Sequence, residues 1–405
     1  MAEKRPWIAY VAPVAFPEGG AAARRILGNA KALVAAGYQV VIVSGQRPSM
    51  AGTDVELAPH IRCVSVNERD AEHLPNILRY ARYALMGSRS RQWLDAQDEL
   101  PRAIILYSGY SPYLLQFTGW ARRSGVALLF DAVEWYAAPT PLRFLLSPYL
   151  WNSEFAMRVL IPRLDGVIAI SRALEHYYRK RGVLTTRVPP LIDPAEFAAS
   201  APAVDPDGCM RLVYSGTPGR KDLIDIIIEA VISCDDGSGR LRLEIVGPSA
   251  EELRNRAPLR RRGGVIPDCL VAHGQVSHGR SMEIVGQADF TIFLRHPNRV
   301  STHGFPTKFV ESCAVGTPVI ANITSDLEDH LRDGETGLVC PVPTQAGIEA
   351  TLARALVLHR ENPGGLRKAV RNEAERAFGL KNFTAAISDL VSRASEKFTE
   401  KRTEQ

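Results

Sequence analysis

Short apolar runs rich in β-branched residues alternate with segments of helical periodicity along most of the chain, and this alternation constrains its fold most strongly. A brief apolar run bounded by turn residues is typical of a strand buried on both faces. Helical segments between such runs supply the crossover connections that parallel strands require. The sequence therefore predicts the α/β class, with doubly wound, Rossmann-like sheets covered by helices on both faces.

The first unit of this kind is the clearest. The run WIAYVAP predicts a strand, FPEGG a loop, and residues 21–36 a helix that ends at Gly37, before the strand YQVVIVSG. Further strands are predicted at IRCVSV, AIILYSG, VALLFD and GVIAIS, and, in the second half of the chain, at MRLVYSG, LRLEIVG, LVAHGQV, DFTIFLR, TPVIAN and GLVCP.

The length of the chain predicts two domains, because 405 residues exceed what one ordinary hydrophobic core supports. We assign residues 1–195 to an N-terminal Rossmann-like domain and residues 209–380 to a C-terminal one. A stretch rich in Ala and Pro near residues 194–208 is typical of a linker between them. Open α/β sheets bind ligands at the carboxyl ends of their strands, so a cleft between two such sheets is the expected site.

Composition narrows the class of protein. With 46% apolar and 23% charged residues and no apolar run of membrane-spanning length, the chain has the composition of a soluble protein. The charged N-terminus leads into a strand too short for a signal peptide, so we expect a cytoplasmic location. The six cysteines form no C-x-x-C pair, which favours reduced core thiols over a zinc site or disulfides.

The basic residues, which give a formal net charge of +5, are unevenly placed. Residues 79–93 interleave arginines with aromatic and apolar residues, as an interfacial segment facing anionic lipid does, although an ordinary surface helix has the same pattern. Residues 137–162 are likewise compatible with a lipid-binding face or with an amphipathic pair of packed helices. The run at residues 260–262 ends in Gly-Gly and favours a solvated loop, so no nucleic-acid partner is expected.

The sharpest chemical motif is HGFPTKFVESCAVGTPVIAN, residues 303–322. Gly304, Phe305 and Pro306 lead into a helix at Thr307, so the N–H groups of residues 307–309 would point out of its N-terminus, where a phosphate or sugar oxygen can bind. One turn into that helix a carboxylate is placed to accept hydrogen bonds from ribose hydroxyls. The alternative is a buried helix start whose acidic residue complements the dipole. The motif residues with proposed roles are Gly304, Phe305, Pro306, Thr307, Lys308, Phe309 and Glu311.

The second motif is YSGTPGRKDL, in which a strand ends in a loop with Gly216 and Thr217 and delivers Arg220 and Lys221 to the start of a helix. Two cations at this place can neutralise a diphosphate, whose negative charge grows when it becomes a leaving group. The alternative is a solvated Arg-Lys pair at a helix end, although cations at a helix N-terminus are unfavourable without an anion nearby.

Together with the Gly19-Gly20 loop, VIAIS, PPLID and DGETGLV, these motifs resemble the family 4 retaining glycosyltransferases of the GT-B fold, also described as glycosyl transferases group 1. The resemblance covers most of the chain. It implies an N-terminal acceptor-binding domain, a C-terminal domain that binds a nucleotide-sugar donor, and a C-terminal helix, residues 381–405, that returns to the N-terminal domain. It also implies retention of configuration by front-face attack, without an enzyme nucleophile.

Carried over residue by residue, the resemblance gives Glu311 the role of the family glutamate that binds the donor ribose. His303 stands where the family has a first glutamate, thought to touch the donor sugar, and a histidine can donate a hydrogen bond that a carboxylate cannot. Thr217 replaces the usual Arg after the strand glycine, Lys221 matches the later Lys, and Arg220 is a substitute for the missing Arg. Gly19 and Gly20 would approach the donor phosphates or the acceptor, unless they form a plain Rossmann turn.

On the acceptor side the family motif D-x-H-E reads DAVEWY here, with Val133 in place of the histidine. Asp131 or Glu134 could bind or deprotonate the acceptor hydroxyl, or Asp131 could be a carboxylate hydrogen-bonded at a strand end. The literal D-x-D at Asp205 and Asp207 flanks a proline inside the linker and favours a turn, so no essential metal and no cofactor are expected.

Three functions follow as hypotheses. The first is transfer of a sugar, most simply from a UDP- or GDP-sugar, to a lipid-linked or glycan acceptor in polysaccharide or glycolipid assembly, with the enzyme peripheral on the inner face of the cell membrane. The second is other chemistry on the same fold, such as nucleotide-sugar epimerisation or transfer to a small soluble acceptor. The third is a two-lobed binding protein without catalysis, against which the missing signal peptide and the Arg220-Lys221 pair both count.

Overall fold

The protein consists of two compact units in a computed structural model that describes residues 5–16, 20–46, 54–68, 83–107, 109–136, 140, 142, 147–193, 196–197, 208–219 and 221–403. The N-terminal unit comprises Met1–Leu191 and Leu380–Gln405, and the C-terminal unit comprises Ile192–Gly379. The chain thus passes between the units twice, after Leu191 and after Gly379. Most of the predicted linker, residues 194–208, falls outside the described residues.

The N-terminal unit contains an eight-stranded sheet in the order β3-β4-β2-β1-β5-β6-β7-β8. Every neighbouring pair is parallel except β3 and β4, which are antiparallel. The strands are β1 (Trp7–Ala12), β2 (Gln39–Ser44), β3 (Asp54–Ala58), β4 (Ile61–Ser65), β5 (Ala103–Leu106), β6 (Ala127–Ala132), β7 (Gly166–Ala169) and β8 (Thr185–Arg187). Strands β1, β5, β6 and β7 are almost wholly buried, as their apolar runs predict.

Among the described residues before Leu191, five helices flank this sheet. They are α1 (Gly20–Ala35), α2 (Ser88–Asp95), α3 (Ser111–Ser124), α4 (Pro148–Phe155) and α5 (Arg172–Arg179). A π-helical turn at Ala156–Leu160 and a 3₁₀ turn at Ile161–Arg163 follow α4. Helix α1 buries Ile26, Ala30 and Leu33, which recur at i, i+4 and i+7, so its apolar stripe faces the sheet.

The C-terminal segment of the chain belongs to this same unit. Its apolar residues Ile387, Leu390, Val391 and Ala394 are fully buried in the core that β1, β6 and α1 share. They lie on helix α14 (Thr384–Thr403), which contacts β6 and α1. The expectation of a C-terminal helix that returns to the N-terminal domain is therefore confirmed.

The C-terminal unit contains a six-stranded, wholly parallel sheet in the order β11-β10-β9-β12-β13-β14. Its strands are β9 (Met210–Ser215), β10 (Leu241–Val246), β11 (Leu270–Gly274), β12 (Phe290–Ile292), β13 (Val319–Ala321) and β14 (Gly337–Val339). From β9 the chain first adds strands on one side of the sheet and then, from β12 onward, on the other. The order therefore reverses between β9 and β12, and a crevice forms outside the carboxyl ends of these two strands.

In the described part of the C-terminal unit, eight helices accompany the second sheet. They are α6 (Ile224–Cys234), α7 (Ala250–Arg254), α8 (Ala257–Arg260), α9 (His278–Gln287), α10 (Arg299–His303), α11 (Thr307–Ala314), α12 (Gln345–Glu361) and α13 (Arg367–Phe378). Both units are thus parallel-sheet α/β domains, and the predicted fold class is confirmed. Within the described part of the chain, no helix is both long enough and apolar enough to cross a membrane. All six cysteines are present as thiols and not in disulfide bonds.

Candidate functional site

Two loops meet at the strand-order reversal of the C-terminal unit. One follows β9 and carries Lys221, and the other follows β12 and carries His296. The backbone N–H of His296 donates to the carbonyl of Lys221 at 3.1 Å, and Leu223 N–H donates to the carbonyl of Leu294 at 2.9 Å. These bonds hold the backbone of Lys221 at the carboxyl edge of the sheet, where the sequence places a phosphate-binding cation.

The turn after β9 requires two glycines. Gly216 has φ of 110° and Gly247, after β10, has φ of 120°, a region that side chains rarely adopt. A Cβ atom at Gly247 would lie 2.7 Å from the carbonyl oxygen of Gly216, so the two backbones are packed too closely for a larger residue. The first turn of this loop is therefore fixed by backbone packing.

Asp222 holds the far end of the same loop. Its side chain is 4% exposed. Oδ2 accepts a hydrogen bond of 2.8 Å from the backbone N–H of Gly219, and Oδ1 lies 3.7 Å from Arg295 Nε and 3.9 Å from Lys308 Nζ. A buried carboxylate is stable when cations and N–H groups face it, so this arrangement fixes the loop that carries Lys221. From the sequence, Arg295 and His296 were expected near the donor sugar, whereas no role was predicted for Asp222.

Lys308 lies under this loop. Its ammonium group donates to Tyr214 Oη at 2.7 Å and sits 3.9 Å from the centre of the same ring. Burial lowers the pKa of Lys308 to about 8, although the charges of Asp222 and Glu311 oppose this change. Burial, together with the charge of Asp222, raises the pKa of Tyr214, so that hydroxyl keeps its proton at neutral pH.

The N-terminus of α11 lies beside Lys308 but offers fewer donors than predicted. The N–H of Phe309 donates to the carbonyl of Pro306 at 3.0 Å, which removes it from the predicted set of three. The N–H groups of Thr307 and Lys308, in the first helical turn, have no intrahelical acceptor. Ser312 ties the helix to β12 by donating to Thr291 Oγ1 at 2.8 Å.

Glu311 belongs to the same cluster, since its charge acts on the Lys308 ammonium. Its side chain is half-buried one helical turn after Thr307. A carboxylate at this place can accept hydrogen bonds from a vicinal diol, which is the chemistry of a ribose.

His303 ends α10 and differs from the prediction that it donates a hydrogen bond to the substrate. Its Nδ1 lies 2.8 Å from the carbonyl oxygen of Arg299, and since a carbonyl only accepts, Nδ1 carries the proton. Burial lowers the pKa of His303, which keeps the ring neutral at pH 7. The other nitrogen, Nε2, therefore presents a lone pair, so this histidine is an acceptor, as a glutamate at that position would be.

Phe305 contributes packing rather than an open binding surface. Its side chain is buried, with ring centres 5.6 Å from Phe378 and 6.0 Å from His330. Any contact of Phe305 with a ligand would come from its backbone. Gly304 and Pro306, on either side, bring the chain from α10 to the start of α11.

On the N-terminal unit, the structure favours the second of the two roles considered for Asp131, a carboxylate hydrogen-bonded at a strand end. This residue is fully buried at the end of β6. Arg25 Nη2 donates to its Oδ1 at 2.6 Å, and Arg25 Nε lies 3.0 Å from Oδ1 and 3.1 Å from Oδ2. Tyr10 Oη donates to it at 2.5 Å and Asn29 Nδ2 at 3.2 Å. A carboxylate so enclosed holds Arg25 in place and is out of reach of an acceptor hydroxyl.

Glu134 lies in a different setting, among tyrosines. Tyr136 donates a hydrogen bond to it, and burial followed by the charge of Glu134 raises the pKa of that tyrosine. Burial, then Tyr110, then Glu134 raise the pKa of Tyr149 to about 12. Burial, and to a smaller extent the charge of Glu134, also raise the pKa of Tyr107, which follows β5. No role was predicted for these tyrosines from the sequence, although Tyr107 lies in the predicted strand AIILYSG and Tyr110 directly follows it, near the strand end where ligand-binding residues occur.

Several predicted positions lie outside the described residues, namely Gly19, Arg79, Arg82, Asp205, Asp207 and Arg220. Gly20, which is described, begins α1 with φ of 63°. In the described part of the chain, no three His, Cys, Asp or Glu side chains converge as a metal site would require. Metal independence itself stays a prediction.

Two family profiles match the sequence in the same order as the two units. Residues 20–190 match the profile described as "Glycosyl transferase 4-like domain", and residues 210–357 match "Glycosyl transferases group 1". The chain belongs to the group 1 glycosyltransferases. The resemblance inferred from the motifs is thereby confirmed, and the site after β9 lies in the group 1 domain of this glycosyltransferase.

Solved structures similar to this glycosyltransferase have the two-domain GT-B fold. Sucrose-phosphate synthase from Thermosynechococcus elongatus is 18% identical with a TM-score of 0.72, and the alignment covers 96% of this chain and 99% of that one. Anabaena HepE in complex with UDP-glucose is 13% identical with a TM-score of 0.67, covering 96% and 99%. WaaG, a glycosyltransferase involved in lipopolysaccharide biosynthesis, is 16% identical with a TM-score of 0.67, covering 95% and 99%. Among curated protein sequences, none matches this glycosyltransferase significantly.

Proposed function

We propose that this glycosyltransferase transfers a sugar from a nucleoside-diphosphate sugar, with retention of configuration and without an essential metal ion, to a lipid-linked or glycan acceptor. The observation that carries the proposal is the cationic loop after β9. Lys221 has its backbone fixed by His296, and Lys308 lies beneath the same loop. Cations held at the carboxyl edge of a parallel sheet, next to free helical N–H groups, suit a diphosphate.

We propose the following contacts between the donor and the protein. Lys221, with Arg220, and the N–H groups of Thr307 and Lys308 bind the diphosphate, while Glu311 accepts from the ribose hydroxyls. His303 Nε2 accepts from a hydroxyl of the transferred sugar. The HepE structures, solved with UDP-glucose and with UDP, support a uridine nucleotide as the first choice.

In the proposed transfer, the bond between the anomeric carbon and the diphosphate oxygen breaks, and its electron pair leaves with the diphosphate. The acceptor hydroxyl attacks the anomeric carbon from the same face, and its proton passes to the departing diphosphate oxygen. Lys221 and its neighbours lower the barrier because they face the charge that develops on this oxygen. Glu134, among its tyrosines, orients the acceptor hydroxyl.

A surface on the N-terminal unit supports a membrane-linked acceptor. Helix α4 has no buried residue, and Tyr149, Trp151 and Phe155 on it are 48%, 49% and 44% exposed. Aromatic side chains are favoured at the boundary between headgroups and acyl chains. We therefore propose that the enzyme binds the membrane surface through α4 and through the arginine-aromatic segment at residues 79–93, of which residues 83–93 are described.

The donor site is tested by thermal unfolding with UDP, GDP, ADP or CMP in the presence of EDTA. A ligand that binds the native state stabilises it by about 2.7 kcal/mol at one hundred times its Kd. We expect one nucleoside diphosphate to raise the Tm and Lys221→Ala or Glu311→Ala to abolish the shift. The exposed Lys381→Ala is the matched control and should keep it. If the protein is folded and no nucleotide raises its Tm at millimolar concentration, the proposal of a donor site is contradicted.

The reaction class is tested with the donor that this panel selects. Transfer to an acceptor with the anomeric configuration of the donor, read by proton NMR, supports retention, and the inverted product contradicts it. Conversion of the donor into another nucleotide sugar without acceptor would favour an epimerase. Faster transfer to a soluble sugar phosphate than to a polyprenyl-linked glycan would favour a small soluble acceptor.

Membrane binding is tested by sedimentation with vesicles of neutral lipid or of neutral lipid mixed with anionic lipid. We expect stronger binding to the anionic vesicles, and a loss of it in Trp151→Ala combined with Phe155→Ala. Val265→Ala, which removes an apolar side chain that is 66% exposed on the C-terminal unit, is the control. Equal sedimentation of all three proteins with both vesicles would contradict the assignment.

A further inference from the structure

The ammonium group of Lys308 is enclosed within the loop cluster of the C-terminal unit. The Lys308 side chain is 15% exposed, and the side chains of Asp222 and Arg295 beside it are 4% and 6% exposed. Its Nζ donates to Tyr214 Oη at 2.7 Å and lies 3.9 Å from Asp222 Oδ1. Arg295 Nε lies 3.7 Å from the same oxygen. Two buried cations thus share one carboxylate.

Neither cation completes a hydrogen bond with this carboxylate oxygen. Asp222 Oδ1 accepts no hydrogen bond from any described residue. The charges that act most on Lys308 are those of Asp222, Arg295, Lys221 and Glu311. Among these groups the side chains of Arg295 and Asp222 are buried, so with Lys308 protonated the buried part of the cluster holds two positive charges and one negative charge.

A buried surplus of charge costs free energy unless an ion of opposite charge arrives or the titratable group loses its proton. Burial is the largest influence on Lys308 and lowers its pKa to about 8. Without a ligand, the amine therefore stands near the point at which it loses its proton. An anion bound close by would reverse the balance and hold the proton on Nζ.

The turn at Gly216 provides the place for such an anion. A Cβ atom at Gly216 would lie 3.1 Å from Lys308 Cε and 3.7 Å from Nζ, so the ammonium group lies directly beneath the glycine turn. A residue larger than glycine would crowd Lys308 here, whereas a phosphate oxygen bound at this turn would lie close to the ammonium group. Lys308 itself lies in the first turn of α11, whose dipole favours negative charge.

We propose that the Lys308 ammonium group is a phosphate-binding cation of the donor site that takes up a proton when a nucleoside diphosphate binds. The inference rests on the proposed donor site. It adds that affinity for the nucleotide depends on proton uptake at one lysine. Binding then weakens as the pH rises past the value at which free Lys308 is neutral, and weakens less in a variant whose cation does not titrate.

A different role for Lys308 would be to hold the loop only, through Asp222 and Tyr214. That role predicts a loss of stability on substitution and no exchange of protons on ligand binding. Titration of the nucleotide itself does not obscure the difference, because the second ionisation of a phosphate lies near pH 6. Proton uptake near pH 8 therefore separates the two roles.

The experiment is isothermal titration of the protein with UDP, or with GDP if UDP does not bind, near pH 8 in Tris and in HEPES. The observed enthalpy differs between these buffers in proportion to the protons taken up. We expect about half a proton per nucleotide near pH 8 and much less near pH 6.5, as follows from a pKa of about 8. Lys308→Arg should bind within about threefold of the wild type and take up no proton, because guanidinium does not titrate there.

Lys308→Gln should bind at least about tenfold more weakly near pH 7, and by a smaller factor near pH 9, where the wild-type amine is neutral. Lys180→Arg, at an exposed position of the N-terminal unit, should retain the wild-type proton uptake. Nucleotide binding without proton uptake, or uptake that persists in Lys308→Arg, overturns this inference and leaves the donor site standing. If the protein has a native circular dichroism spectrum and no nucleotide binds it, the proposal of a donor site is itself overturned.

Discussion

Replacing Arg25 with Met should destabilise the N-terminal unit strongly. Arg25 and Asp131 have side chains that are 3% and 0% exposed, and the guanidinium makes three contacts with the carboxylate and one, at 3.0 Å, with the carbonyl of Val188. Removing one partner of a buried ion pair costs about 3–5 kcal/mol, because it leaves a charge uncompensated. With an m-value of about 2–3 kcal/mol/M, the urea midpoint should fall by about 1–2.5 M.

Tryptophan fluorescence is the assay, since all five tryptophans lie within residues 1–191 and therefore report on the N-terminal unit. This separates the unfolding of that unit from that of the other, which a single transition would hide. Arg122→Met, at an exposed position of α3, is the control and should change stability by about 0.5 kcal/mol or less.

The double variant Arg25→Met with Asp131→Asn tests the cause. It removes the uncompensated charge, while the amide oxygen that replaces the carboxylate can still accept the hydrogen bond from Tyr10. It should therefore be at least about 1 kcal/mol more stable than Arg25→Met. A loss below about 1 kcal/mol in Arg25→Met, or a double variant no more stable than the single one, would refute the argument that charge compensation holds this network together.

Three further outcomes are expected. Burial lowers the pKa of His303 below 6.5, so transferase activity should fall as the pH drops through that lowered value. In His303→Gln the side-chain amide oxygen accepts a hydrogen bond at every pH, so this loss of activity at low pH should disappear. Between the lowered pKa and 6.5 the unfolded chain binds more protons at His303 than the folded one, so the free energy of unfolding should also decrease there as the pH falls. Gly247→Ala would place a Cβ 2.7 Å from the Gly216 carbonyl and should weaken nucleotide binding at least about tenfold in titrations, whereas Gly237→Ala, in an open turn, should not. Leu390→Ala should cost the N-terminal unit about 2–5 kcal/mol in the fluorescence assay, because its side chain is fully buried; a loss under about 1 kcal/mol would contradict the packing of α14.

Periodicity was enough to predict most of the fold, because fully buried parallel strands consist of unbroken apolar runs such as the AIIL of β5. Strand β3 was not predicted, because it lacks such an apolar run. It lies at the edge of the sheet, pairs antiparallel, and its sequence DVELA places charged residues at exposed positions. A half-buried edge strand of five residues carries too little apolar pattern to be separated from a loop.

The candidate site was predictable only as far as its residues lie next to one another in the sequence. Lys221, Glu311 and the glycine turn at Gly216 were within short motifs. The interactions of Asp222 with Arg295 and Lys308 join two loops and the start of α11, which are far apart in sequence, and no local pattern predicts them. The role of Asp131 could not be predicted either, because it depends on burial. Only the packing of Arg25 against this side chain distinguishes a buried ion pair from an exposed acid.

The double passage of the chain between its units has a consequence for synthesis on the ribosome. The core of the N-terminal unit includes Ile387, Leu390 and Val391, which emerge about 200 residues after Leu191. At about 5–20 residues per second, the first 191 residues wait about 10–40 s for α14. The C-terminal unit, which is continuous from Ile192 to Gly379, can complete its core first. Translation should therefore yield the second unit folded before the first, with the apolar surface that α14 later covers exposed to chaperones in the interval.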